Sequence, residues 1–239
     1  MIKLHPEDLP EAITTLYLRL NGFFTSGLVL HSETRGLVKS DIDCLAVWHP
    51  FHDQSEREVD ADPFLDLSDR PELLLCEVKS SIPSLSFNEP LRTDSTALSA
   101  VLRWSGLVPP DQIDGAVAKL LPQLQDDATI EQVKSGINIQ GVRIRALLCC
   151  PGCAAEAVTR WCIRGPEMLA YINKCLNPHV PRQRCSTLYP LKLWGGFFAP
   201  LVEYVKTLPN GQAPSFGELR ARITSTANNG LGPTRQLIR

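Results

Sequence analysis

Apolar residues recur at helical spacing near the start of the chain, at Leu9, Ile13, Leu16, Tyr17 and Leu20, with Gly22 behind them as a stop, so the first predicted element is a helix. Phe23 and Phe24 lead into a short β run, Leu28 to His31, bounded by Gly27 and the polar turn Ser32-Glu33-Thr34-Arg35-Gly36. A second strand is expected over Val38 to Trp48 and a third over Glu72 to Ser80. Between them residues 49–71 are rich in Asp, Glu, Pro and His without a sustained period, which reads as a mobile loop or an inserted hairpin. After a polar loop through Pro90, Leu98, Val101, Leu102 and Ser105 mark one helical face before Gly106. Ile113, Val117, Leu120 and Leu121 mark another, with Asp111 as its expected N-cap and its end near Pro122.

Val142 to Leu148 alternates and then turns apolar, as a half-covered central strand does, and a shorter strand is expected over Val158 to Ile163. Gly165-Pro166 opens a helix through Leu176, and Trp194, Phe197, Phe198, Leu201, Val202 and Val205 mark the last one. Beyond Pro209 large apolar residues are few, and the final dozen residues are expected to be loosely held. This order predicts an α/β domain with a mixed central sheet flanked by helices. Residues 1–164 are the expected core, with 49–71 inserted, and residues 165–239 a helical C-terminal extension packed on it.

A chain of 239 residues that is 44% hydrophobic can bury one good core. No run approaches the roughly 20 apolar residues of a membrane helix, and the opening MIKLHPEDLPEA lacks the basic-then-apolar order of a secretory signal. No membrane association and a cytoplasmic location are therefore expected, and the eight cysteines are expected as free thiols or metal ligands. Cys150-Pro151-Gly152-Cys153 has zinc-ligand spacing, but the second close pair of a structural zinc site is missing, so structural zinc is not expected. A formal net charge of -2 excludes a strong global basic field and leaves only a local groove for any nucleic acid.

Alternation along a strand puts Asp41 and Asp43 on one face of the second strand, and Glu77 and Lys79 on one face of the third. If the two strands pair in register, the four charges converge on apolar strands, a position that ionised groups avoid unless paired or metal-bound. Carboxylates at such a point can hold Mg²⁺ or Mn²⁺, and a lysine beside them can orient a water and stabilise charge on a phosphoryl group. The run Ser40-Asp41-Ile42-Asp43-Cys44-Leu45-Ala46, followed by Leu73-Leu74-Leu75-Cys76-Glu77-Val78-Lys79-Ser80, resembles the PD-(D/E)XK nuclease signature. Tyr17 to Phe23 likewise resembles the helix-then-Gly-aromatic entry of Holliday-junction-resolvase-like members.

The resemblance implies a restriction-endonuclease-like fold and metal-dependent cleavage of nucleic acid, DNA before RNA, in a setting such as defence or repair. It implies Asp43, Glu77 and Lys79 as catalytic residues. The metal ligands would be Asp43 and Glu77, with the Val78 carbonyl as a further oxygen and Asp41 as an auxiliary carboxylate. It extends over residues 7 to about 163 and departs from the pattern twice: the gap between Asp43 and Glu77 is long, and Ile42 stands where the motif's name has Pro.

Arg35 and Lys39 are the candidates for contact with phosphate. Glu11 is expected as a solvated first-turn acid favoured by the helix dipole. Arg143 and Arg145 face either a substrate groove or the outside of an edge strand, and a self-association surface or a partner protein is a further expectation. The alternative function is a catalytically silent module of the same fold that serves as an adaptor for nucleic acid or protein.

Overall fold

The first helix and the three strands after it fall close to the positions their apolar spacing predicts. The computed structural model describes residues 4–31, 38–53, 58–81, 85–153, 160–180 and 194–229. Helix α1 (Leu9–Leu20) buries Leu9, Ile13, Leu16 and Tyr17 and ends at Asn21, whose side-chain amide donates back to the Tyr17 carbonyl at 2.8 Å. Strands β1 (Phe24–His31), β2 (Val38–Trp48) and β3 (Glu72–Val78) form an antiparallel meander. β1 begins earlier than predicted, and Gly27 lies within it instead of bounding it. The register passes from Ser26–Leu45 to Leu28–Ile42, so Asp43 and Cys44 together face the single Gly27. Such a bulge bends a strand and re-aims its side chains.

Strand β5 (Val142–Cys150) runs parallel to β3, and its far edge takes β4 (Ile137–Ile139) antiparallel at its start and β6 (Cys162–Arg164) parallel at its end. Among the described residues the sheet is mixed and has six strands, with helices packed on it. β6 is the later and shorter form of the strand expected from Val158, and residues 154–159 lie outside the described residues. β3 and β5 are buried along nearly their whole length, which explains why they read as continuous apolar runs.

Helix α2 (Glu89–Thr93) stands where a polar loop is expected, and α3 (Ser95–Ser105) ends at Gly106 in the left-handed conformation, φ 68°. Helix α4 (Ile113–Leu120) begins one residue after a 3-10 turn at Pro110–Gln112, so Asp111 lies inside that turn and Gln112 is the N-cap. Helix α5 (Ile130–Ser135) precedes β4, and α6 (Gly165–Leu176) matches its predicted bounds. Helices α7 (Gly195–Thr207) and α8 (Phe216–Asn229) follow. α8 corrects the reading of the region beyond Pro209: Leu219 and Ile223 are buried, and a reciprocal pair, Ser215 with Glu218, starts the helix. The tail beyond 229 lies outside the described residues. No helix among the described residues is long and apolar enough to cross a membrane.

Arg143 and Arg145 overturn both of their expected settings, because β5 is an interior strand and Arg145 is fully buried. Its guanidinium pairs with the fully buried Glu72, donates to the Leu65 carbonyl at 2.6 Å and stands 4.6 Å from the Trp161 ring centre. Arg143 pairs with the other oxygen of Glu72 at 2.6 Å and donates to the Asp66 carbonyl. Gly136, at φ 65°, leaves the passage open, since a Cβ there would collide with Arg145 Cγ and the Ile144 carbonyl.

These bonds also correct the reading of 49–71. Its described part is pinned: Tyr17 Oη donates to Asp62 at 3.0 Å, the Asp62 N–H donates to Asn21 at 2.7 Å, and Leu65 is fully buried beside a 3-10 turn (Pro63–Leu65). The described residues there hold no hairpin.

The cysteines are used in two ways. Cys44, Cys76 and Cys149 are buried free thiols on the three neighbouring strands β2, β3 and β5. Cys150 and Cys153 are joined in a disulfide with their Cα atoms 5.4 Å apart, which corrects the expectation of free thiols or metal ligands for that pair.

Removing Arg145 would leave Glu72 with Arg143 alone and one of its buried oxygens without its guanidinium. Arg145→Met is expected to lower stability by about 3–5 kcal/mol, measured by denaturant unfolding, and a loss below about 1 kcal/mol would show the pair to be dispensable.

Candidate functional site

The β2–β3 ladder ends at Cys44–Cys76, and continuing its register sets Asp43 opposite Glu77 and Asp41 opposite Lys79. At this point the strands part. The Val78 N–H donates to Asp43 Oδ2 at 2.6 Å, so a side-chain carboxylate takes a backbone donor at the end of β3. The bulge opposite Gly27 puts Asp43 at a bend in β2, where a re-aimed side chain is physically expected. The site lies at the carboxyl end of the parallel pair β3–β5, where open α/β sheets offer a crevice.

Glu77 is 1% exposed, and its Oε1 receives the Lys79 ammonium while its Oε2 is buried with no hydrogen-bond partner among the described residues. Lys79 Nζ also donates to Asn88 Oδ1 at 3.1 Å, and Asn88 Nδ2 donates to Asp41 Oδ1 at 3.2 Å. Asp41, Lys79 and Glu77 are thus joined through a residue that sequence reasoning missed, while Asp43 is held by the Val78 N–H instead. Asn88 is the N-cap of α2, and a signal was present: Asn followed by Glu89-Pro90 is a helix-start pattern.

Burial pushes the Glu77 carboxyl up to about 7, with Lys79 pulling down and Asp43 pushing up. Burial also raises Asp43, with the Val78 N–H and Lys79 opposing and Asp41 adding to the rise. Glu11 sits in the first turn of α1 as expected and keeps access to solvent, but it is not electrostatically independent. Its pKa is raised by partial burial and then by Asp43, Asp8 and Asp41, so it shares the field of the carboxylate group.

Arg35 lies outside the described residues; Lys39 is placed only by its backbone in β2. Arg143 and Arg145 are committed to Glu72.

The residues present suit a hard divalent cation. Asp43 and Glu77 offer carboxylate oxygens on adjoining strands, and Glu77 Oε2 is a buried acceptor left without a donor. Among the described residues no three His, Cys, Asp or Glu side chains group closely enough to form a complete cage. Mg²⁺ does not require one, since it is commonly held by one or two carboxylates together with water and substrate phosphate. No family model, curated protein or solved structure matches the chain.

Because the folded protein holds the Glu77 proton up to about pH 7, while the unfolded chain releases it at the ordinary glutamate value of 4.5, the folded state binds the extra proton between these limits. Its stabilising contribution is complete below 4.5 and is lost as pH rises through 7. In the presence of chelator, Glu77→Gln is expected to gain on the parent protein by about 2–3 kcal/mol between pH 5 and pH 8 in denaturant unfolding. A difference that does not change with pH would contradict the raised pKa.

Proposed function

We propose that the chain is a nuclease of the PD-(D/E)XK type, with a restriction-endonuclease-like fold, that hydrolyses phosphodiester bonds with Mg²⁺ or Mn²⁺. The observation that carries this reading is the meeting of Asp43, Glu77 and Lys79 where β2 and β3 part, with a buried oxygen of Glu77 left without a donor. An Asp on one strand and Glu-x-Lys on the next is the arrangement the signature requires, and β2 and β3 provide neighbouring strands for it. The mixed sheet flanked by helices is compatible with that fold.

Asp43 and Glu77 would hold the cation, with Asp41 as the auxiliary acid and the Val78 carbonyl as a further oxygen ligand. When bound, the cation supplies Lewis-acid polarisation of the phosphate and a more acidic water. Asp43 is already oriented by the Val78 N–H, so its free oxygen is aimed without further ordering. Glu77 is held in low-dielectric surroundings, where its charge is costly alone and strongly favourable beside a cation. Lys79 lies within hydrogen-bond reach of the same carboxylate, so its ammonium can orient the attacking water and stabilise negative charge as it grows on the phosphoryl oxygens.

Nucleic acid, DNA before RNA, is the substrate class this chemistry fits. A net charge of -2 requires attraction to come from the cation and local basic groups, not from the chain as a whole. A catalytically silent adaptor of the same fold would have no evident use for a buried carboxylate that weakens folding at neutral pH.

Calorimetry with Mn²⁺ and a cleavage assay on mixed single- and double-stranded DNA test the reading together. Asp43→Ala and Glu77→Ala are expected to abolish cation binding and cutting. Lys79→Ala is expected to keep binding while kcat falls on the order of a hundredfold or more. Absence of cation binding by the parent protein would sink the enzyme reading. Binding that leaves every DNA and RNA substrate intact would favour the silent module.

A further inference from the structure

Asn88 touches more of the site than any residue the sequence singles out. Its side-chain oxygen accepts from Lys79 at 3.1 Å and its amide nitrogen donates to Asp41 at 3.2 Å. Its backbone N–H lies near enough to Glu77 to favour the charged carboxylate. An ammonium can only donate and a carboxylate can only accept, so a single orientation of the carboxamide satisfies both neighbours. Asn88 occupies the N-cap of α2, yet its side chain makes no bond to that helix. An N-cap asparagine ordinarily accepts from the first helical turn, and here that capacity is directed across to β2 and β3.

We propose that Asn88 is a positioning residue that acts through Lys79: its carbonyl oxygen is the seat that retains the ammonium when a divalent cation takes Glu77. This rests on the reading of the site as a cation-dependent centre. In the structure Lys79 divides its bonds between Glu77 Oε1 and Asn88 Oδ1. A cation on Glu77 repels the ammonium at short range and shifts it away from that carboxylate, even where the cation takes the unbonded Oε2. Asn88 is a neutral acceptor already within hydrogen-bond distance, so the exchange leaves Lys79 bonded, close to the reacting phosphate and clear of the cation. Without that acceptor Glu77 is the bonded partner left to Lys79 among the described residues, and the ammonium competes with the cation for that carboxylate.

The test is a double-mutant cycle read by Mn²⁺ calorimetry, with cleavage kinetics beside it. Asn88→Ala is expected to weaken Mn²⁺ binding on the order of tenfold in the parent background, the range of a hydrogen bond to a charged group. In the Lys79→Met background, which has no ammonium to retain, the same change is expected to leave Mn²⁺ affinity nearly unaltered. Asn88→Ser keeps an N-capping side chain but not the two-ended carboxamide, and it is expected to behave as Asn88→Ala does, which separates the effect from loss of helix α2. In cleavage Asn88→Ala should lower kcat with KM held.

Equal weakening in both backgrounds would make Asn88 a structural support and overturn the proposal, as would unchanged or tighter Mn²⁺ binding in Asn88→Ala. No Mn²⁺ binding by the parent protein overturns this role and the cation-dependent reading together. Binding without coupling to Lys79 overturns the role of Asn88 alone.

Discussion

The geometry of the molecule depends on a carboxylate buried at the entrance to β3. Glu72 is fully buried and lies between two arginines of β5, and their remaining donors reach the carbonyls of Leu65, Asp66 and Lys134. Such an ion pair adds little net stability over an apolar core of the same shape, because both charges must leave water. It does penalise alternatives severely. Sliding β3 by one residue against β5 would turn Glu72 to the face of Leu73 and Leu75 and leave Arg145 with no counter-charge. The pair therefore fixes the register of the two central strands, and through the carbonyls it reaches it also fastens the long connection and helix α5 to the sheet.

That register has its consequence at the other end of the same strand. β3 enters with Glu72 and leaves with Glu77, so fixing the first carboxylate fixes which face and which depth the second one takes. The two differ in how their charge is met. Glu72 is satisfied by two guanidinium groups, whereas Glu77 has one ammonium on one oxygen, and its other oxygen makes no hydrogen bond among the described residues. A domain of this size has no structural need for a half-met charge, and interiors ordinarily satisfy their buried polar atoms. The β2 bulge and the diversion of the Val78 N–H to Asp43 fall at the same point, which concentrates two departures from regular sheet structure within two adjoining strands.

What the sequence made legible was periodic. α1, β2, α6 and most of α7 were readable because each keeps one apolar repeat over ten or more residues, and strand alternation put Asp41 with Asp43 and Glu77 with Lys79, while bringing the two pairs together also required β2 and β3 to pair in register. What escaped was short or non-local. α5 and α8 are announced by a capping box, Thr129 with Gln132 and Ser215 with Glu218, but their apolar faces are too sparse to register as a period. The burial of Arg143 and Arg145 could not be read at all from β5, because the counter-charge that permits it lies on another strand. The pinning of the long connection depends on the same distant partners. Asn88 went unnoticed because its place at a helix start and its bonds to Lys79 and Asp41 use different atoms, and the spacing of the chain signals the first of these.

The charge balance around the site constrains any reading of it. Glu11, Asp41, Asp43 and Glu77 share one electrostatic neighbourhood, since Asp43 raises both Glu11 and Glu77 and Asp41 raises both Glu11 and Asp43, and among the described residues Lys79 is the cation bonded within it. An approaching phosphodiester would meet a surplus of negative charge in surroundings where desolvation strengthens repulsion. On the proposed reading, this surplus is what couples the two bound species: a divalent cation is required before a phosphate can be tolerated, and the phosphate in turn completes the coordination that two carboxylates leave open. The same surplus disfavours occupation of the site by nucleic acid alone, so substrate binding and readiness for chemistry would arrive together.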